Sequence, residues 1–240
     1  MTPAPAGLRV DSLSYAYGAK QALDRVGFAV GPGSFCALLG PNGAGKSTLY
    51  ALLTRLFTTP TGRIEIAGID LARNPRAALA KIGVVFQQST LDLDLSVQRN
   101  LTYFAALHGL SGRQAQQRID AALDRVDMRP RASEPARTLN GGHRRRLEIA
   151  RCLIHSPSIL LLDEPTVGLD AAARKSITDH VHDLSEQDGI TVLWATHLTD
   201  EIRDSDQLLI LHQGRLIQNG RTQDLRGPLP LSDHFLAQTQ

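Results

Sequence analysis

Short apolar runs alternate with longer amphipathic stretches along most of this chain. Residues 7–40 alternate apolar and polar positions in the manner of strands. They end in Ser34-Phe35-Cys36-Ala37-Leu38-Leu39, which reads as a short buried strand. Thr48-Leu49-Tyr50-Ala51-Leu52-Leu53 reads as the first turns of a helix. Residues 63–67 alternate again, closed by Gly68, and Ile82-Gly83-Val84-Val85-Phe86 is a short buried strand ending at Gln87-Gln88. From Ser96 to about His155 the period becomes helical. Leu101, Phe104, Ala105 and Leu107 form one apolar face, and Ile119, Ala122, Leu123 and Val126 form another. Pro130 and Pro135 then break the chain into a loop, and strand-like runs return at Ile159–Leu162, Ile190–Ala195 and Gln207–Leu211. A helical stretch separates the first two of these runs. Strands alternating with helices predict an α/β fold with a mainly parallel sheet and helices on both faces.

Composition narrows this picture. A length of 240 residues suits one large α/β domain or a core carrying an inserted lobe. Formal net charge is only +2 and no basic stripe stands out, so no nucleic-acid partner is expected. No apolar run approaches the ~18 residues of a membrane span. Met1-Thr2-Pro3-Ala4-Pro5-Ala6 lacks the charged start and apolar core of a signal peptide. Cys36 and Cys152 read as buried small hydrophobes rather than metal ligands. These features predict a soluble, cytosolic chain.

Candidate chemistry enters at Gly40-Pro41-Asn42-Gly43-Ala44-Gly45-Lys46-Ser47-Thr48. Every fixed position of a phosphate-cradling loop is filled, and the loop lies between a predicted strand and a predicted helix. Its glycines let successive N–H groups turn inward, and the helix N-terminus adds the positive end of its dipole. Lys46 supplies a mobile charge for the β- and γ-phosphates, and Ser47 a hydroxyl for Mg²⁺. A nucleoside triphosphate is the predicted ligand.

A second segment, Ser158-Ile159-Leu160-Leu161-Leu162-Asp163-Glu164-Pro165, is an apolar strand ending in two carboxylates. Their place at the strand's C-terminal edge is where open α/β sheets bind ligands. Asp163 can hold Mg²⁺, which leaves Glu164 free to polarise an attacking water. An isolated Asp-Glu after a strand is more often a helix cap, and it is the complete phosphate loop that favours the chemical reading.

Three further motifs resemble one family. Leu139-Asn140-Gly141-Gly142-His143, followed by Arg144-Arg145-Arg146-Leu147-Glu148-Ile149-Ala150-Arg151, resembles the signature motif of ATP-binding-cassette ATPases. Val167-Gly168-Leu169-Asp170 is similar to their D-loop, and His197 in Trp194-Ala195-Thr196-His197 to their switch histidine. With Gln87 after a short strand, these motifs run through nearly the whole chain in family order. Within the family the chain is most similar to ATPase subunits of type-two bacterial exporters, through Tyr103–Leu110 and Arg144–Arg151. The Gly-Gly-His-Arg-Arg-Arg variant adds a narrower likeness to ATPase subunits encoded with quinone-dependent alcohol oxidation systems.

The resemblance implies a cassette in three parts. A RecA-like core with a small antiparallel β part would cover 1–88 and 157–240, and a helical lobe would cover 89–156. It implies ATP hydrolysis that powers a separate integral membrane permease, most simply for export, at the inner face of the cell membrane. Two cassettes would meet head to tail, each ATP lying between one phosphate loop and the partner's signature. Tyr17 matches the aromatic that stacks on adenine, with Tyr15 the alternative on the same strand face. Gln87 matches the residue that reaches Mg²⁺ and the attacking water, and His197 the one that contacts the γ-phosphate. Asp170 would communicate across the dimer.

The signature departs from the usual Leu-Ser-Gly-Gly-Gln at Asn140 and His143. Asparagine caps helices well and its amide can donate to phosphate. Other readings stand beside these. A lone glutamine or histidine on a loop is usually a solvated polar residue, and the Arg144–Arg146 run suits a solvated helix face as well as a ligand site. His180 and His182 lie two apart on a helical pattern and share no face, which disfavours a metal pair. His108, His155, His212 and His234 carry no legible signal. A DNA-repair or translation relative would be expected to carry a coiled-coil insertion or two cassettes, and a P-loop phosphotransferase would not need the signature.

Overall fold

The computed structural model describes residues 7–239, so the Met1–Ala6 segment read above lies outside them. The chain opens with strands β1 (Leu8–Tyr17), β2 (Lys20–Val30) and β3 (Phe35–Leu39), then helix α1 (Lys46–Leu53). Next come β4 (Arg63–Ile66), β5 (Ile69–Asp70), α2 (Pro75–Leu79) and β6 (Ile82–Val85). Three helices follow: α3 (Val97–Leu107), α4 (Gly112–Arg125) and α5 (Gly141–Leu153). The chain continues through β7 (Ile159–Asp163), α6 (Ala171–Asp188), β8 (Thr191–Thr196), β9 (Gln207–His212) and β10 (Arg215–Arg221). It closes with α7 (Thr222–Arg226) and α8 (Leu231–Thr239).

Two sheets form. An antiparallel one has the order β2-β1-β4-β5, and a six-stranded one has the order β10-β9-β3-β8-β7-β6. In the larger sheet only β10 runs antiparallel to its neighbour, β9. The central strands are continuous apolar runs because both faces are covered, and successive side chains enter different cores. From β3, Phe35, Ala37 and Leu39 join the core under the helices, while Cys36 and Leu38 join the core under the antiparallel sheet. Strand β8 divides the same way, Val192 and Trp194 on one side and Leu193 and Ala195 on the other.

That division bears out helices on both faces but corrects their share, since an antiparallel sheet joins α1 on one of them. Helices α3 to α6 cover one face, whereas α1 and the antiparallel sheet close the other. A second correction concerns Leu107, assigned above to the apolar face of α3. Leu101 and Ala105 are buried, but Leu107 is 64% exposed at the helix end, one step beyond the turn that packs inward. Strand β10 and helices α7 and α8 had no counterpart in the sequence reading. Strand β10 alternates exposed and half-buried residues along one edge of the sheet, so its apolar signal is weak. Among the described residues, no helix is long and apolar enough to cross a membrane.

Candidate active site

The phosphate loop joins Leu39 of β3 to Lys46 of α1, and the backbone dictates its glycines. Gly45 has φ 111°, and a Cβ there would meet the Ala22 carbonyl oxygen at 2.7 Å. A Cβ at Gly40 would approach the Leu211 carbonyl oxygen to 2.5 Å. Gly45 caps α1 without a side-chain bond, so the helix's first N–H groups have no intramolecular cap partner. Lys46 Nζ donates to the Gly40 carbonyl at 2.6 Å and to that of Pro41 at 3.3 Å.

Strand order then assembles the rest. Strands β6, β7 and β8 lie side by side and parallel, so the residues following them emerge together at the carboxyl edge of the sheet. These are Gln87, Glu164 and His197. Glu164 sits at φ 47°, an unusual backbone for a carboxylate side chain, held by its N–H bonding the Ala195 carbonyl at 3.0 Å. Its Oε1 lies 3.2 Å from Lys46 Nζ and 3.4 Å from His197 Nδ1. Its Oε2 accepts from Gln87 Nε2 at 3.2 Å. Three residues widely separated in sequence, Lys46, Gln87 and His197, thus meet at the Glu164 carboxylate.

Asp163 is buried beside this group. Burial pushes its carboxyl above the ordinary range, and the Glu164 charge adds to that, while the Ser47 hydroxyl and Lys46 oppose it. Ser47 and Asp163 present oxygen donors of the kind that suit Mg²⁺, and Gln87 stands at the same edge.

A cleft of about 670 Å³ opens over the loop, lined by Tyr17, Lys46, Ser47, Gln87 and Glu164 among others. Tyr17 is 48% exposed, and its hydroxyl pairs with Thr48 Oγ1 at 3.3 Å. Tyr15 instead stacks on Phe57 with ring centroids 5.4 Å apart and does not line the cleft. Of the two tyrosines, Tyr17 is the one on the cleft. Lys20, Gln21, Gln213 and Gly214 also line the cleft and were missed. Gln213-Gly214 is the turn between β9 and β10, recognisable as a turn, but only strand order brings it over the loop.

Leu139–His143 does not line this cleft. Asn140 caps α5, its Oδ1 accepting from the His143 N–H at 2.8 Å. A Cβ at Gly141 would touch Leu169, and one at Gly142 would touch Ala173, so the signature packs against the D-loop and the start of α6. Asp170 caps α6 through the Ala173 N–H at 2.8 Å. His143 is pushed below the ordinary imidazole range, chiefly by desolvation and then by Arg131 and Arg146.

The Arg144–Arg146 run is neither a freely solvated face nor part of the cleft. Arg144 donates to the Ala136 and Arg137 carbonyls, and Arg146 to the Val126 carbonyl and Ser176 Oγ. Arg145 is buried. His182 stacks on Phe35 at 3.7 Å and contacts Asp206. Both cysteines are buried and free; desolvation pushes the Cys36 thiol well up and that of Cys152 to about 12.

A mainly parallel sheet carrying this loop and this carboxylate edge, with a helical insertion between β6 and β7, defines a P-loop nucleoside triphosphatase fold of the cassette type. The ABC transporter family profile matches residues 23–167. The chain is 38% identical to the daunorubicin resistance ATP-binding protein DrrA3 of Streptomyces coeruleorubidus, over 93% of this chain and 71% of that protein. It is 34% identical to the probable multidrug ABC transporter ATP-binding protein YbhF of Escherichia coli, over 94% of this chain but 39% of that protein. It is 36% identical to the Nod factor export ATP-binding protein I of Paraburkholderia xenovorans, over 90% of this chain and 71% of that protein. A dimeric ATP-binding cassette in a post-hydrolysis state, bound to ADP and Pi, superposes with a TM-score of 0.78 at 27% identity. That superposition covers 90% of this chain and 98% of the other. The chain belongs to the ABC transporter family and is its ATP-binding, ATP-hydrolysing cassette.

Proposed function

We propose that this chain binds and hydrolyses ATP in the cleft above Gly40–Thr48 and thereby drives export through a separate integral membrane permease. The observation that carries the reading is the convergence of Lys46, Gln87 and His197 on Glu164. Loop N–H groups and Lys46 bind the triphosphate, and Tyr17 offers its ring to adenine. Glu164 takes the proton of the attacking water, while Gln87 and His197 orient that water against the γ-phosphorus. Positive charge and backbone donors stabilise the transferring phosphoryl group. Ser47, Asp163 and Gln87 would hold magnesium, which supplies charge neutralisation at the phosphates when bound.

The division of labour follows the fold. The core at 1–88 and 157–240 holds nucleotide, and the lobe at 89–156 presents Leu139–His143 to a second copy. Because the signature lies outside its own cleft, one chain supplies only half of a closed site. Two chains meet head to tail around ATP, and Asp170 sits where they would touch. The pair works on the cytoplasmic face of the membrane, held there by the permease. Export is favoured by the relatives, one named for daunorubicin resistance and one for Nod factor export.

Phosphate release by the purified chain, measured with ATP and Mg²⁺ over rising protein concentration, tests this. Turnover should rise faster than linearly as pairs form, and chelating the metal should stop it. A rate that stays at the background of buffer throughout would overturn the reading.

A further inference from the structure

One face of α5 grips the loop that carries Gln87. Arg145, Glu148, Cys152 and His155 recur at helical spacing along this element and its end. All four bond to the chain running from β6 into that loop. His155 Nε2 meets the Ile82 carbonyl at 2.9 Å and Cys152 Sγ the Val84 carbonyl at 3.1 Å. Arg145 then donates to the Phe86 carbonyl at 2.8 Å and, through its other nitrogen, to the Gln87 carbonyl at 3.0 Å. Glu148 completes the grip. One oxygen accepts from Arg145 at 2.7 Å and the other accepts the Thr90 N–H at 3.0 Å.

Arg145 is 8% exposed and Glu148 2%. An isolated charge in such a place would be costly, so the pair persists because each charge and its hydrogen-bonding atoms find partners. A planar guanidinium alone can span two successive carbonyls and a carboxylate, which is why lysine is a poor substitute here. The same helix starts at Gly141, where the signature lies.

We propose that Arg145 and Glu148 are positioning residues that lock the Gln87 loop to the signature helix, so that the two parts of the site move as one body. The inference rests on the reading of Gln87 as part of the hydrolytic site. A helix displaced at its signature end carries the Phe86 and Gln87 carbonyls with it, and so moves the side chain that contacts Glu164. Arg145 itself touches neither nucleotide nor Glu164.

The test replaces the pair together, Arg145→Met with Glu148→Leu, to avoid leaving one buried charge unpaired. Affinity for a fluorescent ATP analogue should stay within about 2-fold of wild type, with KM nearly constant, while kcat falls about 10–100-fold. Gln87→Ala alone should lower kcat to a similar degree, and adding it to the double variant should cost little more, because both act through one side chain. Multiplicative losses, or a fall in affinity that matches the fall in kcat, would overturn the proposal. Should the double variant not fold, Arg145→Lys carries the same test. It keeps the charge beside Glu148 but cannot span both carbonyls, so kcat should drop and Gln87→Ala should mask the drop; wild-type kcat sinks the idea. A Gln87→Ala chain with full turnover overturns the proposal through Gln87, whereas full turnover in Glu164→Gln overturns the hydrolytic reading itself.

Discussion

Lys46 Nζ and Glu164 Oε1 lie 3.2 Å apart with both side chains buried, so the phosphate loop and the carboxylate edge are electrostatically joined. The pair links two tasks, since Lys46 is placed to contact phosphate and Glu164 to contact water. Removing either member leaves the other charge in a poorly hydrated place. Variants must therefore be chosen to separate chemistry from folding.

Glu164→Gln preserves size and hydrogen bonding while removing the base. Water loses its polarising carboxylate, but Asp163 and the loop are untouched. Hydrolysis should fall at least ~100-fold with nucleotide binding retained. ATP-bound dimers should accumulate and elute earlier in gel filtration. A near wild-type rate of phosphate release would remove Glu164 from the mechanism.

Lys46→Ala and His197→Ala should differ in kind. Lys46 contacts ground-state phosphates, so its loss should weaken affinity itself. His197 is exposed, does not line the cleft and meets Glu164 through Nδ1, so its loss should depress turnover with affinity largely intact. Equilibrium titration with a fluorescent ATP analogue distinguishes the two. Equal losses of affinity would mean that His197 is misassigned.

Asn140→Ser probes the altered signature. Serine caps a helix about as well as asparagine, so the stability change should stay within ~0.5 kcal/mol. In the structure the Asn140 Oδ1 is committed to the His143 N–H, which leaves its amide nitrogen as the group able to face a phosphate. A serine hydroxyl in its place should raise ATPase activity or tighten the ATP-dependent dimer. Lower activity would identify the asparagine as an adapted ligand, and no change would leave phosphate recognition to Gly141 and Gly142.

Asp163 gives a pH-dependent prediction. Its carboxyl is raised by burial, so the folded chain holds that proton more tightly than the unfolded chain does. The stability this contributes is present below the ordinary aspartate pKa and is lost as pH rises through the raised value. Asp163→Asn removes the buried charge, so in metal-free buffer it should melt higher than wild type, by ~2–4 °C per kcal/mol relieved. In thermal melts the gap should widen as pH rises from below the ordinary aspartate pKa through the raised value. A gap that narrows would show the charge to be stabilised in place, and the same variant should lose metal-dependent turnover.

Contiguous residues with a local physical task are legible in the sequence. The loop from Gly40 to Thr48 is one such segment, because its glycines, lysine and helix start act on neighbouring backbone. The apolar run into Asp163-Glu164 is another, since a strand's end is visible in its own residues. Less was legible where a residue's neighbours come from elsewhere. The role of Arg145 depends on Phe86 and Gln87, 59 and 58 positions away, so a run of three arginines offered no means of telling clamp from solvated face. Gln213-Gly214 reached the cleft by strand order, and β10, an edge strand of alternating exposed and half-buried residues, left little signal.

The sequence by itself determined the ligand class and the main core strands and helices, because phosphate recognition and helix or strand periodicity are written within short windows. Only the tertiary structure decided that Gln87, Glu164 and His197 stand together, since that depends on β6, β7 and β8 lying side by side in the sheet. It also put Tyr17 rather than Tyr15 on the cleft, although both rings pack near Phe57. It decided where the antiparallel sheet lies, beside α1 on one face of the larger sheet. Apolar periodicity says that a strand is buried on both sides but carries no information about what buries it.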